Sequence, residues 1–122
     1  MEASSDYGIR NEGSVKTEIL NVKAQSGRGY ICGSGSSTEA GQTKIEAEEI
    51  GIHCTGNAEA DFGNSEVRAV TYGIKTDRDE KGSPKIKLNK GSIIDGASVL
   101  WYDWEGGVLT DDEIQEKIGK NN

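Results

Sequence analysis

The chain has little from which to build a thick hydrophobic centre. Its 122 residues include 1 Phe, 2 Trp, 1 Met and only 4 Leu. Leu, Ile, Val and Phe together supply about a fifth of the chain, which at a net charge of -7 borders on the composition of disordered sequences. A conventional globule with a broad apolar interior is therefore not expected, although the length suits one ordinary domain. Long apolar runs are missing too: none approaches the roughly 20 residues of a membrane span, so no membrane insertion is expected. Basic residues are outnumbered 14 to 21. Without a basic stripe to neutralise phosphates, nucleic acid and anionic lipid are disfavoured as partners.

Glycine is abundant, with 17 residues, and much of it is periodic. Tyr7-Gly8-Ile9, Arg28-Gly29-Tyr30, Ile50-Gly51-Ile52 and Tyr72-Gly73-Ile74 place their glycines 21, 22 and 22 residues apart. A second element, Val22-Lys23-Ala24, Ile45-Glu46-Ala47 and Val67-Arg68-Ala69, precedes the next of these glycines by 7, 6 and 6 residues. A third recurs more loosely at Thr17, Ala40 and Phe62, and again at Leu88. Elements that keep phase with one another mark an internal repeat, and a period near 22 is too short for the common helical arrays.

Alternation identifies the repeat units as strands. After each glycine, Ile9, Tyr30, Ile52 and Ile74 fall on one side, Arg10, Ile31, His53 and Lys75 on the other, and Asn11, Cys32, Cys54 and Thr76 on the first side again. Period two places the first and third sets inside and the middle set outside. The same rule turns Ile45 and Val67 inward and their charged neighbours outward. Coils stacked about 4.8 Å apart would rest each inner residue on its counterpart one turn later, so a narrow interior of small residues suffices.

These segments, with Gly56-Asn57-Ala58 and Asn64-Ser65-Glu66-Val67 as turn-and-strand phrases, resemble the right-handed parallel β-helix family. That family comprises pectate-lyase-like solenoids of bacterial surface proteins, passenger domains, phage tailspikes and polysaccharide-active enzymes. The resemblance spans Tyr7 to Trp104. It implies an all-β fold, a right-handed parallel β-helix of about four coils, and an extracellular or cell-surface location. A leucine-rich repeat is disfavoured by the scarcity of Leu, and a twisted β-sandwich with accidental spacing is the competing fold.

The two ends differ. Met1 and Ala3 keep the offsets from Gly8 that Val22 and Ala24 keep from Gly29. Met1 is accordingly read as a start inside a longer solenoid, with an uncapped N-terminal coil whose strand edges offer a route to self-association. At the other end, Trp101 occupies the Ile position and is large enough to fill a terminal hole. Thr110 followed by Glu113 forms a capping box, and Leu109 with Ile114 a hydrophobic staple. A short helix from about Asp111 to Ile118, leaving through Gly119, is expected to lay Ile114 and Ile118 over the stack. Residues 1–104 are thus assigned to the coils and 105–122 to the C-terminal cap.

Reactive chemistry is sparse. Cys32 and Cys54 should be inward neighbours in adjacent coils, better read as reduced apolar filler than as a disulfide, and neither has zinc or redox C-x-x-C spacing. His53 is expected to be a solvated surface residue. Glu46, Glu48, Arg68 and Lys87 are expected on the outward side of related strands, where charge pairing between coils explains them. No pair of carboxylates is set among apolar neighbours that would raise one pKa for acid catalysis, so catalysis is disfavoured. Asp77 and Asp79 precede Gly82 with a fragment of calcium-loop spacing whose remainder is absent. Calcium is the one cofactor this spacing admits, against the plainer reading of a solvated loop. Gly33 to Glu39 looks like a flexible, projecting corner.

Three functional classes follow, in descending order. The first is a non-catalytic structural or adhesive segment of a larger bacterial surface or secreted protein, with a polysaccharide or host-surface ligand as its partner. The second is a carbohydrate-binding domain, with Trp104 and Tyr102 as candidate platforms and calcium as a candidate aid. The third is a fragment of a polysaccharide lyase or glycosidase, for which four coils offer little room to frame a site.

Overall fold

A computed structural model describes residues 2–3, 7–24 and 27–120, with side chains at 8–24 and 27–118. The alternating segments form strands that coil rather than fold back. A first partial turn holds β1 (Glu2–Ala3) and β2 (Tyr7–Asn11). The next two turns hold β3 (Ser14–Ala24) with β4 (Arg28–Cys32), then β5 (Ser37–Glu46) with β6 (Ile50–Thr55). In the following turn the long strand splits into β7 (Glu59–Asp61) and β8 (Asn64–Arg68), followed by β9 (Tyr72–Asp77). The last turn holds β10 (Lys85–Lys87), β11 (Ile93–Asp95) and β12 (Val99–Asp103). The closing pieces are β13 (Gly107–Val108) and α1 (Asp111–Lys120).

Pairing between turns is parallel throughout, giving a β-solenoid of about four turns with three strand faces per turn. The first face contains β7, β10 and the opening halves of β3 and β5. The second contains β8, β11 and the closing halves of those strands. The third face is a separate sheet of β2, β4, β6, β9 and β12, closed at its end by the antiparallel β13. Ala3 stands opposite Ala24, as the spacing expects, whereas Met1 lies outside the described residues.

Ile9, Tyr30, Ile52, Ile74 and Trp101 face one another strand by strand in a single column. Beside them runs Asn11, Cys32, Cys54 and Thr76. Val22, Ile45, Val67 and Ile94 form the opposing column. Most of these side chains are fully buried, and transfer of each large one from water contributes about 1.5–3 kcal/mol. The narrow interior sets a demand on the glycines. A Cβ on Gly8, Gly29, Gly51 or Gly73 would lie 2.6–2.8 Å from a carbonyl oxygen one turn on and would also press on the Val or Ile of the opposing column.

Inside, Ser36 Oγ and Trp101 Nε1 are buried without a hydrogen-bond partner among the described residues, whereas Tyr30, Thr38 and Asn11 form a paired polar group. The Tyr30 hydroxyl meets Thr38 Oγ1 at 2.8 Å, and Asn11 Nδ2 donates to the same oxygen at 3.0 Å. Tyr30 also meets Phe62 edge to face at 5.6 Å. Burial raises the Tyr30 phenol above its ordinary value.

The C-terminal closure follows its sequence signals. Glu113 N–H donates to Thr110 Oγ1 at 3.2 Å, while Thr110 N–H donates to Glu113 Oε1 at 3.0 Å. Leu109, Ile114 and Ile118 are buried with Trp101 in the common core. The helix continues to Lys120, so Gly119 lies within it rather than at the expected exit. The supposed flexible corner is also shorter than expected. Only residues 33–36 connect the strands, because Ser37 to Glu39 belong to β5 and Ser36 and Thr38 are buried.

Candidate functional site

The outer side of the third face gathers the most varied chemistry. Arg10, Ile31, His53, Lys75 and Tyr102 stand in successive strands, with Arg28, Ile50, Tyr72 and Val99 in a parallel row. Strand register brings Tyr72 and Tyr102 together, 30 residues apart in sequence, with ring centroids at 6.0 Å in an edge-to-face arrangement. The Lys75 ammonium lies over both, 5.2 Å from the Tyr72 centroid and 5.9 Å from that of Tyr102. Just beyond β9, Arg78 lies over the Trp104 ring at 5.4 Å. Both expected platform residues are therefore half-buried on one side of the molecule, each beneath a cation. Tyr72, Lys75 and Arg78 were not legible as partners because their proximity comes from turns 27 residues apart.

His53 is not the solvated residue that alternation suggests. Its side chain is only 13% exposed, with Nε2 at 2.8 Å from Asp77 Oδ2 and Nδ1 at 3.2 Å from Arg28 Nη1. A guanidinium only donates, so Nδ1 accepts and Nε2 carries the proton given to Asp77. Burial lowers the His53 pKa from its ordinary value, against the pull of Asp77. Ile31 is likewise buried although it faces outward, because Arg10 and His53 flank it in the column.

The other expected residues separate. Asp77 is engaged by His53, while Asp79 Oδ1 accepts the Lys81 N–H at 2.8 Å inside a tight turn closed on Gly82. Hydrogen bonding from the Lys81 backbone holds the Asp79 carboxyl below its usual range. Among the described residues, no group of three or more His, Cys, Asp or Glu converges as a metal cage. Glu46 stands opposite Arg68 on the second face, and Arg68 reaches Glu66 at 3.6 Å and Asp95 at 3.7 Å. Lys87 is on the first face opposite Asp61, and Glu48 lies in a corner, so these four do not share one surface. Their expected grouping fails because β3 and β5 bend from one face to the next midway.

The first face carries Lys16, Glu39, Asp61 and Lys87 in one register row beside a groove of about 570 Å³. Lys16 meets Glu39 at 3.4 Å. Cys32 and Cys54 are opposite one another inside, fully buried and free as thiols. Among the described residues, no helix is long and apolar enough to cross a membrane.

No protein-family model, curated protein or solved structure matches the chain. The fold itself and the third-face cluster therefore bear the functional argument.

Proposed function

We propose that the chain is a non-catalytic structural or adhesive β-solenoid segment of a larger bacterial cell-surface or secreted protein, akin to the pectate-lyase-like β-helices. The observation that supports this reading is the unbroken column from Ile9 to Trp101. Such stacking makes a stiff body whose outer faces and corners can be presented to a partner without rearrangement. Antibodies against the chain should label intact cells of its source or its secreted fraction. Labelling that requires permeabilised cells would overturn the proposed location.

A second reading, carbohydrate binding through the third face, is favoured by one observation. Tyr72 and Tyr102 meet there beneath Lys75, and Trp104 lies beneath Arg78 just beyond β9 and β12. Aromatic groups with a few polar neighbours are the usual means of orienting a small polar ligand. A glycan array probed with the purified chain tests it. Binding lost on Trp104→Ala supports it, and silence across neutral and acidic glycans overturns it. Calcium assistance at Asp77 and Asp79 would require Asp77 to exchange His53 for the ion. Heat on calorimetric titration with millimolar calcium supports that role, and no heat excludes it.

A further inference from the structure

The geometry points to a docking site where the second face ends, for an extended strand of a separate polypeptide that adds to β11 and seats one branched apolar side chain on Ile94. Three observations meet there. β11 pairs with β8 on one edge, and among the described residues no strand pairs with its other edge. The Asp95 carbonyl accepts the Ala69 N–H across the paired edge, so alternation turns the N–H and C=O of Ile94 to the open one. The inner column stops at the same residue. Val22, Ile45 and Val67 are at most 1% exposed, whereas Ile94 is only half-buried because no further turn stacks on it. The helix α1 closes the stack over Trp101 but leaves a slot of about 300 Å³ beside Ile94, with Leu100, Ile114 and Ile118 as its other apolar walls.

Charge along the face sets what the added strand must carry. Register places Lys23, Glu46, Arg68 and Asp95 in one outward row of alternating sign. Arg68 reaches Asp95 at 3.7 Å, and the Asp95 side chain, 57% exposed, ends the row with a carboxylate. Asp111 adds a second carboxylate at the slot. The next position in the row therefore takes Lys or Arg, since opposite charges side by side on neighbouring strands attract and like charges repel. The residue before it faces inward and takes Val or Ile for the slot. Ile93, outward and 55% exposed, offers apolar surface to the residue before that. In such strand addition the main-chain bonds supply affinity, and alternate side chains in their pockets supply selectivity.

The test is fluorescence anisotropy of a labelled peptide with the sequence of residues 62–70, titrated with the whole chain. That segment carries Val67 and Arg68 in the required order. It should bind saturably, and amide hydrogen exchange at Ile94 should slow on binding. The same peptide with Arg68→Glu should bind about tenfold more weakly, a loss typical of one charge-assisted contact. Val67→Asp in the peptide should abolish binding, because it would bury a charge in the slot. On the chain, Asp95→Lys should reverse the preference between the Arg and Glu peptides, an outcome that unfolding cannot produce. Lys85→Gln on the first face should leave binding unchanged. No saturable binding at millimolar chain, equal affinity for the Arg and Glu peptides, or an unchanged preference in Asp95→Lys would overturn the site. Sedimentation showing that the chain pairs with itself, and that Asp95→Lys abolishes the pairing, would give the edge to a second copy and overturn the separate partner.

Discussion

Gly51 lies so close to Gly73 in the next turn that a methyl group on it would stand 2.6 Å from the Gly73 carbonyl oxygen. The same methyl would press on Val67 Cγ1 across the interior. Backbone and core both resist it, so Gly51→Ala should destabilise the fold by about 1–3 kcal/mol, the usual range for an overpacked core. Gly13 has nothing within 4 Å of the equivalent position and no left-handed backbone to protect. Gly13→Ala should be neutral or stabilising by up to about 1 kcal/mol. Urea unfolding of the two variants checks both outcomes.

His53 should make stability depend on pH. Burial depresses its folded pKa below the ordinary 6.5, while Asp77 on β9 opposes the shift and Arg28 on β4 and Lys75 on β9 add to it. The unfolded chain consequently binds the proton more readily than the folded one. The contribution of His53 is fully present above about 6.5 and is lost as pH falls through the window down to the lowered folded pKa. Protonation also turns Nδ1 into a donor facing Arg28. The urea midpoint should drop between pH 7.5 and pH 5.5, and His53→Gln should flatten that dependence.

Cys32 and Cys54 should be chemically silent in the native protein. Both are fully buried, and burial together with the neighbouring Cys32 pushes the Cys54 thiol well above its usual range. Thiolate is the reactive form, so lack of access opposes modification at both positions and suppressed ionisation adds to it at Cys54. Ellman's reagent should react negligibly with folded protein and titrate both thiols in denaturant. Rapid native-state reaction would show that the stack opens locally.

The C-terminal closure should separate into a cap contribution and a packing contribution. Thr110→Ala removes the hydroxyl that accepts the Glu113 N–H and should cost about 1 kcal/mol. Ile114→Ala empties a buried position beneath the helix and should cost about 2–5 kcal/mol. Thermal melts followed by circular dichroism at two wavelengths check whether helix and coils are lost together.

The repeat was readable because stacking imposes the same requirement at each turn. A glycine must admit the next carbonyl, and a residue after it must fill the interior. Gly8, Gly29, Gly51 and Gly73 thus announce the coil, and Val22, Ile45 and Val67 announce its opposite wall. Thr110 and Glu113 announce the helix because a capping box is local. Tertiary structure alone decided the surface chemistry. Alternation assigns His53 and Ile31 to an outer side but does not count the side chains that cover them. Nor does the linear spacing reveal that β3 and β5 bend, separating Lys87 from Glu46 and Arg68. The cluster of Tyr72, Lys75, Tyr102, Arg78 and Trp104 depends on the added residues of the 78–84 loop being absorbed while β9 and β12 keep register. Interior contacts repeat from turn to turn and leave a periodic trace, whereas a surface cluster occurs once and is created only when distant strands meet.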